Sequence, residues 1–75
     1  VMTLVDLVRN QKAKITALPA DIDLATHLLE QGFVLNSEIS LAHKAPWNGP
    51  MAFHLQNTKI TLGQQVAQQI KVTRL

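Results

Sequence analysis

The most informative part of this chain is residues 21 to 33, which are Asp21-Ile22-Asp23-Leu24-Ala25-Thr26-His27-Leu28-Leu29-Glu30-Gln31-Gly32-Phe33. At about 100° per residue the apolar side chains fall on one side, so the pattern predicts an α-helix over Ile22–Gln31 with that side buried. Asp21 is a candidate N-cap. Gly32 can adopt the positive φ that ends a helix, after which Phe33 can fold back on the last turn. The predicted buried stripe is Ile22, Leu24, Ala25, Leu28 and Leu29.

Outside this helix the chain alternates polar and apolar residues, which is the period of half-buried strands. The five segments are Lys12–Ala17, Glu38–Ala42, Met51–Gln56, Lys59–Leu62 and Gln69–Arg74. Residues 3–9 suit a short helical turn or an extended lead-in, and Gly63–Gln68 a single helical turn. Closing short strands into a barrel removes exposed sheet edges. The sequence therefore predicts a mainly β fold, a small closed or nearly closed barrel of about five strands with one α-helix between strands 1 and 2.

The alternation also predicts a core and a strand register. Matching the apolar faces of the second and third strands pairs Leu41 with Leu55 and places His43 and His54 on opposite faces. The predicted core is Ile15, Leu24, Leu28, Leu29, Phe33, Ile39, Leu41, Phe53, Leu55, Ile60, Leu62, Ile70 and Val72.

Composition narrows the class of protein. The 75 residues suffice for one domain, 1–75, in which we expect Val1, ahead of Met2, to be a cloning remnant. The absence of cysteine excludes disulfides and thiolate ligands. No apolar run approaches the ~20 residues of a membrane span, and no secretory signal opens the chain, so we expect a cytoplasmic protein. Isolated glycines and the lack of a nucleophile–base pattern argue against an enzyme.

Charge is unevenly distributed along the chain. The five carboxylates all lie at or before Glu38, so residues 1–38 carry a net −2 and residues 39–75 carry +4. Such an asymmetry suits an acidic partner, an anionic membrane surface or nucleic acid. Scattered cations are also an ordinary solubilising surface.

Three stretches of this sequence resemble the ferrous iron transport protein A (FeoA) family of SH3-like domains. They are Leu28-Leu29-Glu30-Gln31-Gly32-Phe33, Ala45-Pro46-Trp47-Asn48-Gly49-Pro50 and Ile60-Thr61-Leu62. The chain departs from that family at Leu35-Asn36, where the family has Pro-Gly, at Gly63, where it has arginine, and at His27, where a basic residue is common. The resemblance spans about Leu4 to Val72 and implies an SH3-like barrel.

The function that the resemblance implies is that of a non-enzymatic cytosolic accessory protein for ferrous iron uptake. Its partner would be the membrane ferrous iron transporter, which carries a cytosolic GTP-binding domain, and it would reach the membrane only through that partner. The alternative is a transition-metal-binding or metal-sensing SH3-like module, and a remoter one is a small-barrel nucleic-acid binder. Nucleic acid is not expected as a partner, because base stacking needs exposed aromatic side chains. Phe33 and Phe53 fall at positions that the pattern predicts to be buried, which leaves Trp47 alone.

The candidate partner-binding residues are Pro46, Trp47, Asn48, Gly49 and Pro50, with His27 and Glu30 on the polar side of the helix. A tryptophan on a proline-bounded loop is a good binding anchor. In the other interpretation Trp47 folds over one end of the barrel and closes the core. A chain with three aromatic residues can hardly spare one for the surface, which favours that second interpretation.

Metal ligands form no recognisable motif. His27, His43 and His54 lack the spacing of a zinc site, and His27 is expected to contact Asp23 one turn earlier. No cofactor is required. Weak binding of Fe(II) or Zn(II) by His27 with Asp23 or Glu30 is the remaining hypothesis for a metal.

Overall fold

In the computed structural model, which describes residues 2–75, six strands form one antiparallel sheet in the order β1-β6-β2-β3-β4-β5. The strands are β1 (Met2–Thr3), β2 (Lys12–Ala17), β3 (Glu38–Lys44), β4 (Met51–Leu55), β5 (Thr58–Leu62) and β6 (Lys71–Arg74). The helices are α1 (Ile22–Glu30) and α2 (Gln64–Ala67). The predicted mainly β class and the helix after the first long strand are confirmed. The expectation for Val1 lies outside the described residues.

The sheet is open rather than closed. Among residues 2–75 no pairing joins β5 to β1, so these two strands are the sheet edges. The sixth strand arises in the lead-in segment, where Met2 pairs with Val72. A 3₁₀ turn over Leu4–Asp6 follows and buries Leu4 completely. The lead-in, predicted to be either extended or a short helical turn, is therefore first extended and then helical.

Helix α1 has the predicted caps at both ends and is one residue shorter than predicted, ending at Glu30 rather than Gln31. Oδ1 of Asp21 accepts hydrogen bonds from the backbone N–H groups of Asp23 (2.9 Å) and Leu24 (3.2 Å). These two bonds satisfy donors that have no partner within the helix. At the other end Gly32 has φ +105°, and Phe33 is fully buried.

Only part of the predicted helix stripe is buried. Leu28 is 1% exposed and Leu24 is partly buried, whereas Ile22 is 79% and Leu29 46% exposed. On a helical wheel, Leu24 and Leu28 lie at one edge of the apolar stripe, and Ile22 and Leu29 lie at the other edge. The nine-residue helix meets the sheet along the first side only. The prediction that Ile22 and Leu29 are buried is therefore wrong.

The register of β3 and β4 also differs from prediction. Leu41 pairs with Phe53 and Ile39 with Leu55, and the ladder shifts between Leu41 and His43. Ala42 is the extra residue of a β-bulge, which reverses the in–out alternation of the strand beyond it. His43 pairs with Ala52, two residues from His54 on β4. The two histidines therefore share one face of the sheet, and the prediction that they point apart is wrong.

The predicted core is confirmed apart from three residues. Leu24 and Ile60 are only partly buried and Leu29 is exposed, while every other predicted core residue is buried. The cluster further includes Leu4, Leu7, Ala13, Met51 and Ala67. Neither α1 nor α2, nor any other helix within residues 2–75, is long and apolar enough to cross a membrane.

Candidate functional site

The connection between β3 and β4, residues 45–50, is a compact loop. The N–H of Ala45 donates to the carbonyl oxygen of Pro50 (3.0 Å), which ties the two ends together. Within it the N–H of Gly49 donates to the carbonyl oxygen of Pro46 (3.1 Å), which closes a four-residue β-turn. Four of the five predicted partner-binding residues of the loop, Pro46 to Gly49, therefore form one turn at the end of a hairpin, and Pro50 follows it directly.

Trp47 occupies the first central position of this turn with φ +54°, and Asn48 follows with φ +60°. Two successive left-handed residues are the pattern of a type I′ turn. A bulky side chain is uncommon at positive φ, and such conformations cost on the order of 1–3 kcal/mol. The turn nevertheless holds a tryptophan there.

The side chain of Trp47 is 95% exposed, which makes it the most exposed large hydrophobic residue among residues 2–75. The interpretation of Trp47 as a lid on the core is therefore wrong. The core is filled instead by Met51, Phe53 and the leucines of the lead-in. An aromatic ring held almost entirely in water, on a loop tied at both ends, is available to a partner.

Gly49 has a steric reason to be glycine. A Cβ built on it would lie 2.8 Å from Cβ of Ala45 and 3.1 Å from the carbonyl oxygen of Pro46. The first distance is shorter than real Cβ contacts, so a side chain at this position forces the loop to shift. The backbone of Gly49 also accepts a long hydrogen bond, 3.5 Å, from Nε2 of Gln64 at the start of α2.

The two predicted helix residues, His27 and Glu30, are exposed on α1. Nε2 of His27 lies 3.2 Å from Nε2 of Gln31. The predicted contact of His27 with Asp23 is wrong, because Gln31, one turn later, is the partner. No hydrogen bond or ion pair within residues 2–75 joins α1 to the loop. The predicted partner-binding residues thus form two separate surfaces.

The residues predicted to bind a metal weakly do not form a three-ligand site. Asp23, His27 and Glu30 are all exposed on α1, and no group of three histidine, aspartate or glutamate residues within 2–75 is arranged to hold a metal ion. The side chain of His27 contacts Gln31 rather than either acid of the helix.

A second surface feature is a groove that the sequence pattern did not predict. It has a volume of about 440 Å³ and lies between the lead-in and the end of β3. The lining residues are Leu7, Val8, Arg9, Leu41, His43 and Lys44. It arises because Arg9 forms an isolated parallel bridge with Leu41, far away in sequence. Nothing in the local pattern of residues 7–9 signals that contact.

Comparison with known proteins identifies the family. The sequence matches the model of the FeoA domain over residues 2–74. No curated protein matches it significantly. The solution structure of iron(II) transport protein A from Clostridium thermocellum is 32% identical with a TM-score of 0.92, covering 99% of this chain and 46% of that one. This chain therefore spans less than half the length of that relative.

Two further solved structures support the fold. FeoA of Stenotrophomonas maltophilia, solved in complex with zinc and described as an SH3 domain protein, is 26% identical over 96% of this chain and 89% of that one, with a TM-score of 0.83. A manganese-dependent transcriptional repressor is 19% identical over 99% of this chain and 41% of its own, with a TM-score of 0.90. The second likeness concerns the fold alone. With an SH3-like fold and a family match over residues 2–74, this chain belongs to the FeoA domain family.

Proposed function

We propose that this domain is a non-enzymatic accessory protein of ferrous iron uptake, which binds the cytosolic part of the membrane ferrous iron transporter through the loop 46–50. The observation that carries the proposal is Trp47, which is 95% exposed on a hydrogen-bonded turn. Large aromatic side chains lose little conformational entropy on binding and dominate many interfaces. Within a FeoA domain, such a residue is a natural contact with the transport machinery.

Two relatives support the link to iron transport. The Clostridium thermocellum protein is named iron(II) transport protein A, and the Stenotrophomonas maltophilia protein is described as a candidate activating factor of ferrous iron transport. Because the sequence carries no catalytic pattern, the domain would act by docking. It would work in the cytoplasm and meet the membrane through its partner.

The shape of the loop favours recognition. Pro46 and Pro50 restrict the backbone at both ends, and the Ala45–Pro50 hydrogen bond closes it. A segment that is already ordered loses less entropy on docking. Proline restriction and the closed turn therefore both increase the affinity that a single tryptophan can supply.

Isothermal titration calorimetry with the purified cytosolic domain of the transporter tests the proposal. Trp47→Ala should weaken binding by about 2 kcal/mol or more and leave the melting temperature unchanged, since the side chain is in solvent. Leu35→Ala is the matched control, because it removes another exposed apolar side chain (55% exposed) away from the loop. It should bind as the parent protein does.

A double variant, His27→Ala with Glu30→Ala, tests the helix surface in the same assay. If this variant loses binding and Trp47→Ala does not, the contact is on α1 and the loop proposal is wrong. If no variant and not even the parent protein binds, the transporter domain is not the partner.

The second candidate function is a metal-binding or metal-sensing module, which is favoured by the zinc in the Stenotrophomonas maltophilia structure. Calorimetric titration with Zn(II) and, without oxygen, Fe(II) tests it. Heat that disappears in the His27→Ala variant would support a site on α1. Heat that persists in this variant would place the binding elsewhere.

A further inference from the structure

The groove beside β3 combines a buried apolar floor with an exposed apolar wall. Leu7 and Leu41 form the floor and are 2% and 3% exposed, whereas Val8 at the wall is 65% exposed. Exposed apolar surface that continues a buried floor is a feature of binding grooves. The volume of about 440 Å³ lies within the range of small-ligand and side-chain pockets.

Hydrogen bonds hold the wall in place. The N–H of Gln11 donates to the carbonyl oxygen of Val8 (3.0 Å), and the N–H of Val8 donates to Oε1 of Gln11 (3.0 Å). The N–H of Asn10 donates to the carbonyl oxygen of Leu41 (3.0 Å), which ties this turn to β3. Val8 is therefore exposed on an ordered backbone, so docking against it costs little ordering entropy.

The rim of the groove is cationic. Arg9 and Lys44 line it together with His43, and no carboxylate is among the lining residues. Within residues 2–75 the only ion pair is Lys12–Glu38, so neither Arg9 nor Lys44 is paired with an acid. Two unpaired cations beside an apolar floor are complementary to a ligand with carboxylates beside an apolar group.

We propose that this groove binds a short acidic and apolar segment of a protein partner. A leucine-sized side chain would pack against Val8 above the buried Leu7 and Leu41. Flanking carboxylates would pair with Arg9 and Lys44. The rim would also attract a nucleic-acid backbone. No aromatic residue lines the groove to stack on a base, however, and a nucleic acid would leave the apolar side chain of Val8 without an apolar partner. A peptide fits both features.

This inference goes beyond the proposed function, because it assigns a second surface and the chemistry of its ligand. Lys44 directly precedes the loop that carries Trp47, so one partner can cover both surfaces. A synthetic peptide tests the groove without the transporter, so the two proposals can fail separately.

Fluorescence anisotropy with a labelled peptide of sequence SEDLLEDS is the test. We expect saturable binding that weakens at least tenfold in the double variant Arg9→Glu with Lys44→Glu. Lys71→Glu with Arg74→Glu is the matched control, since it makes the same change of net charge at exposed positions of β6. It should bind within a factor of two of the parent. Circular dichroism verifies folding, and Arg9→Gln with Lys44→Gln replaces the reversal variant if that one is unfolded.

Four results would overturn the proposal. Equal binding of SEDSSEDS, which lacks the leucines, would show that charge alone attracts the peptide. Equal loss in the Lys71 and Arg74 control would show that net charge is responsible. Tighter binding of a single-stranded oligothymidine, with the same dependence on Arg9 and Lys44, would make the groove a nucleic-acid site. Amide chemical shifts at Val8 and Leu41 that do not move with the peptide would place the binding elsewhere.

Discussion

The N–H of Phe33 donates a 3.0 Å hydrogen bond to the carbonyl oxygen of Leu28, and both side chains are buried in the core. Gly32, the residue before Phe33, has φ +105°, and its N–H donates a hydrogen bond to the carbonyl oxygen of Leu29 (3.0 Å). These two bonds and the apolar contact make up a Schellman motif. The end of α1 thereby directs Phe33 into the core, which connects the helix to the sheet.

Gly32→Val should lower the free energy of unfolding by about 1–3 kcal/mol, because a β-branched residue is strained at this φ. A Cβ there would meet only Cδ2 of Leu55 at 3.5 Å, an ordinary contact, so the loss is conformational. Gly63→Val is the matched control: Gly63 has φ −69° and no neighbour within 4 Å of a Cβ. Urea unfolding measures both variants. Equal losses would show that the positive φ of Gly32 is not the cause.

The start of α1 gives a second prediction. Asp21→Ala removes the acceptor of two backbone N–H groups and should cost about 1 kcal/mol in the free energy of unfolding. Asp21→Asn keeps the side-chain oxygen and should retain most of that stability. If alanine and asparagine behave alike in urea unfolding, the capping bonds contribute nothing measurable.

Phe53 gives the largest predicted effect on stability. It is fully buried on β4, where it pairs with Leu41 on one side and Ile60 on the other. Phe53→Ala should cost ~3–5 kcal/mol through the cavity that it leaves. A domain of this size has a total stability of only ~4–11 kcal/mol, so thermal unfolding should begin far below that of the parent. Phe53→Leu should lose less, ~1 kcal/mol, and an unchanged melting temperature for Phe53→Ala would contradict the assigned core.

The sequence predicted the elements whose determinants are local. Asp21, Gly32 and the alternation of each strand act over a few residues, and the structure confirms the helix, its two caps and the five main strands. The register of β3 and β4 was missed because Ala42 does not differ from its neighbours in pattern, and a bulge depends on pairing with another strand. The exposure of Ile22 and Leu29 was missed because the helical pattern shows which residues share a side of the helix, but not how much of that side the sheet covers.

The position of the loop could be predicted from the sequence because its determinants are local, whereas the exposure of Trp47 and the groove could not. Pro46, Gly49 and Pro50 favour a loop through their own backbone preferences. Whether Trp47 is buried depends instead on how the other apolar residues of the chain fill the core. Leu4, Leu7 and Met51 fill the space that a lid would occupy. The groove at Arg9 and Leu41 was missed because it depends on a contact between residues distant in sequence.

The last prediction separates the shape of the loop from the tryptophan side chain. Gly49→Ala places a Cβ 2.8 Å from Cβ of Ala45, so the turn that positions Trp47 must shift while the indole itself is intact. If partners recognise the presented turn, Gly49→Ala should weaken binding to the transporter domain about tenfold or more, which corresponds to ~1.4 kcal/mol. The Ala45→Gly substitution removes the opposing Cβ, and the double variant Ala45→Gly with Gly49→Ala should recover most of the affinity. Calorimetry on the four proteins gives the coupling energy between the two positions. Unchanged binding by Gly49→Ala would show that the turn geometry is dispensable, and a double variant as weak as Gly49→Ala would exclude the contact with Ala45 as the cause.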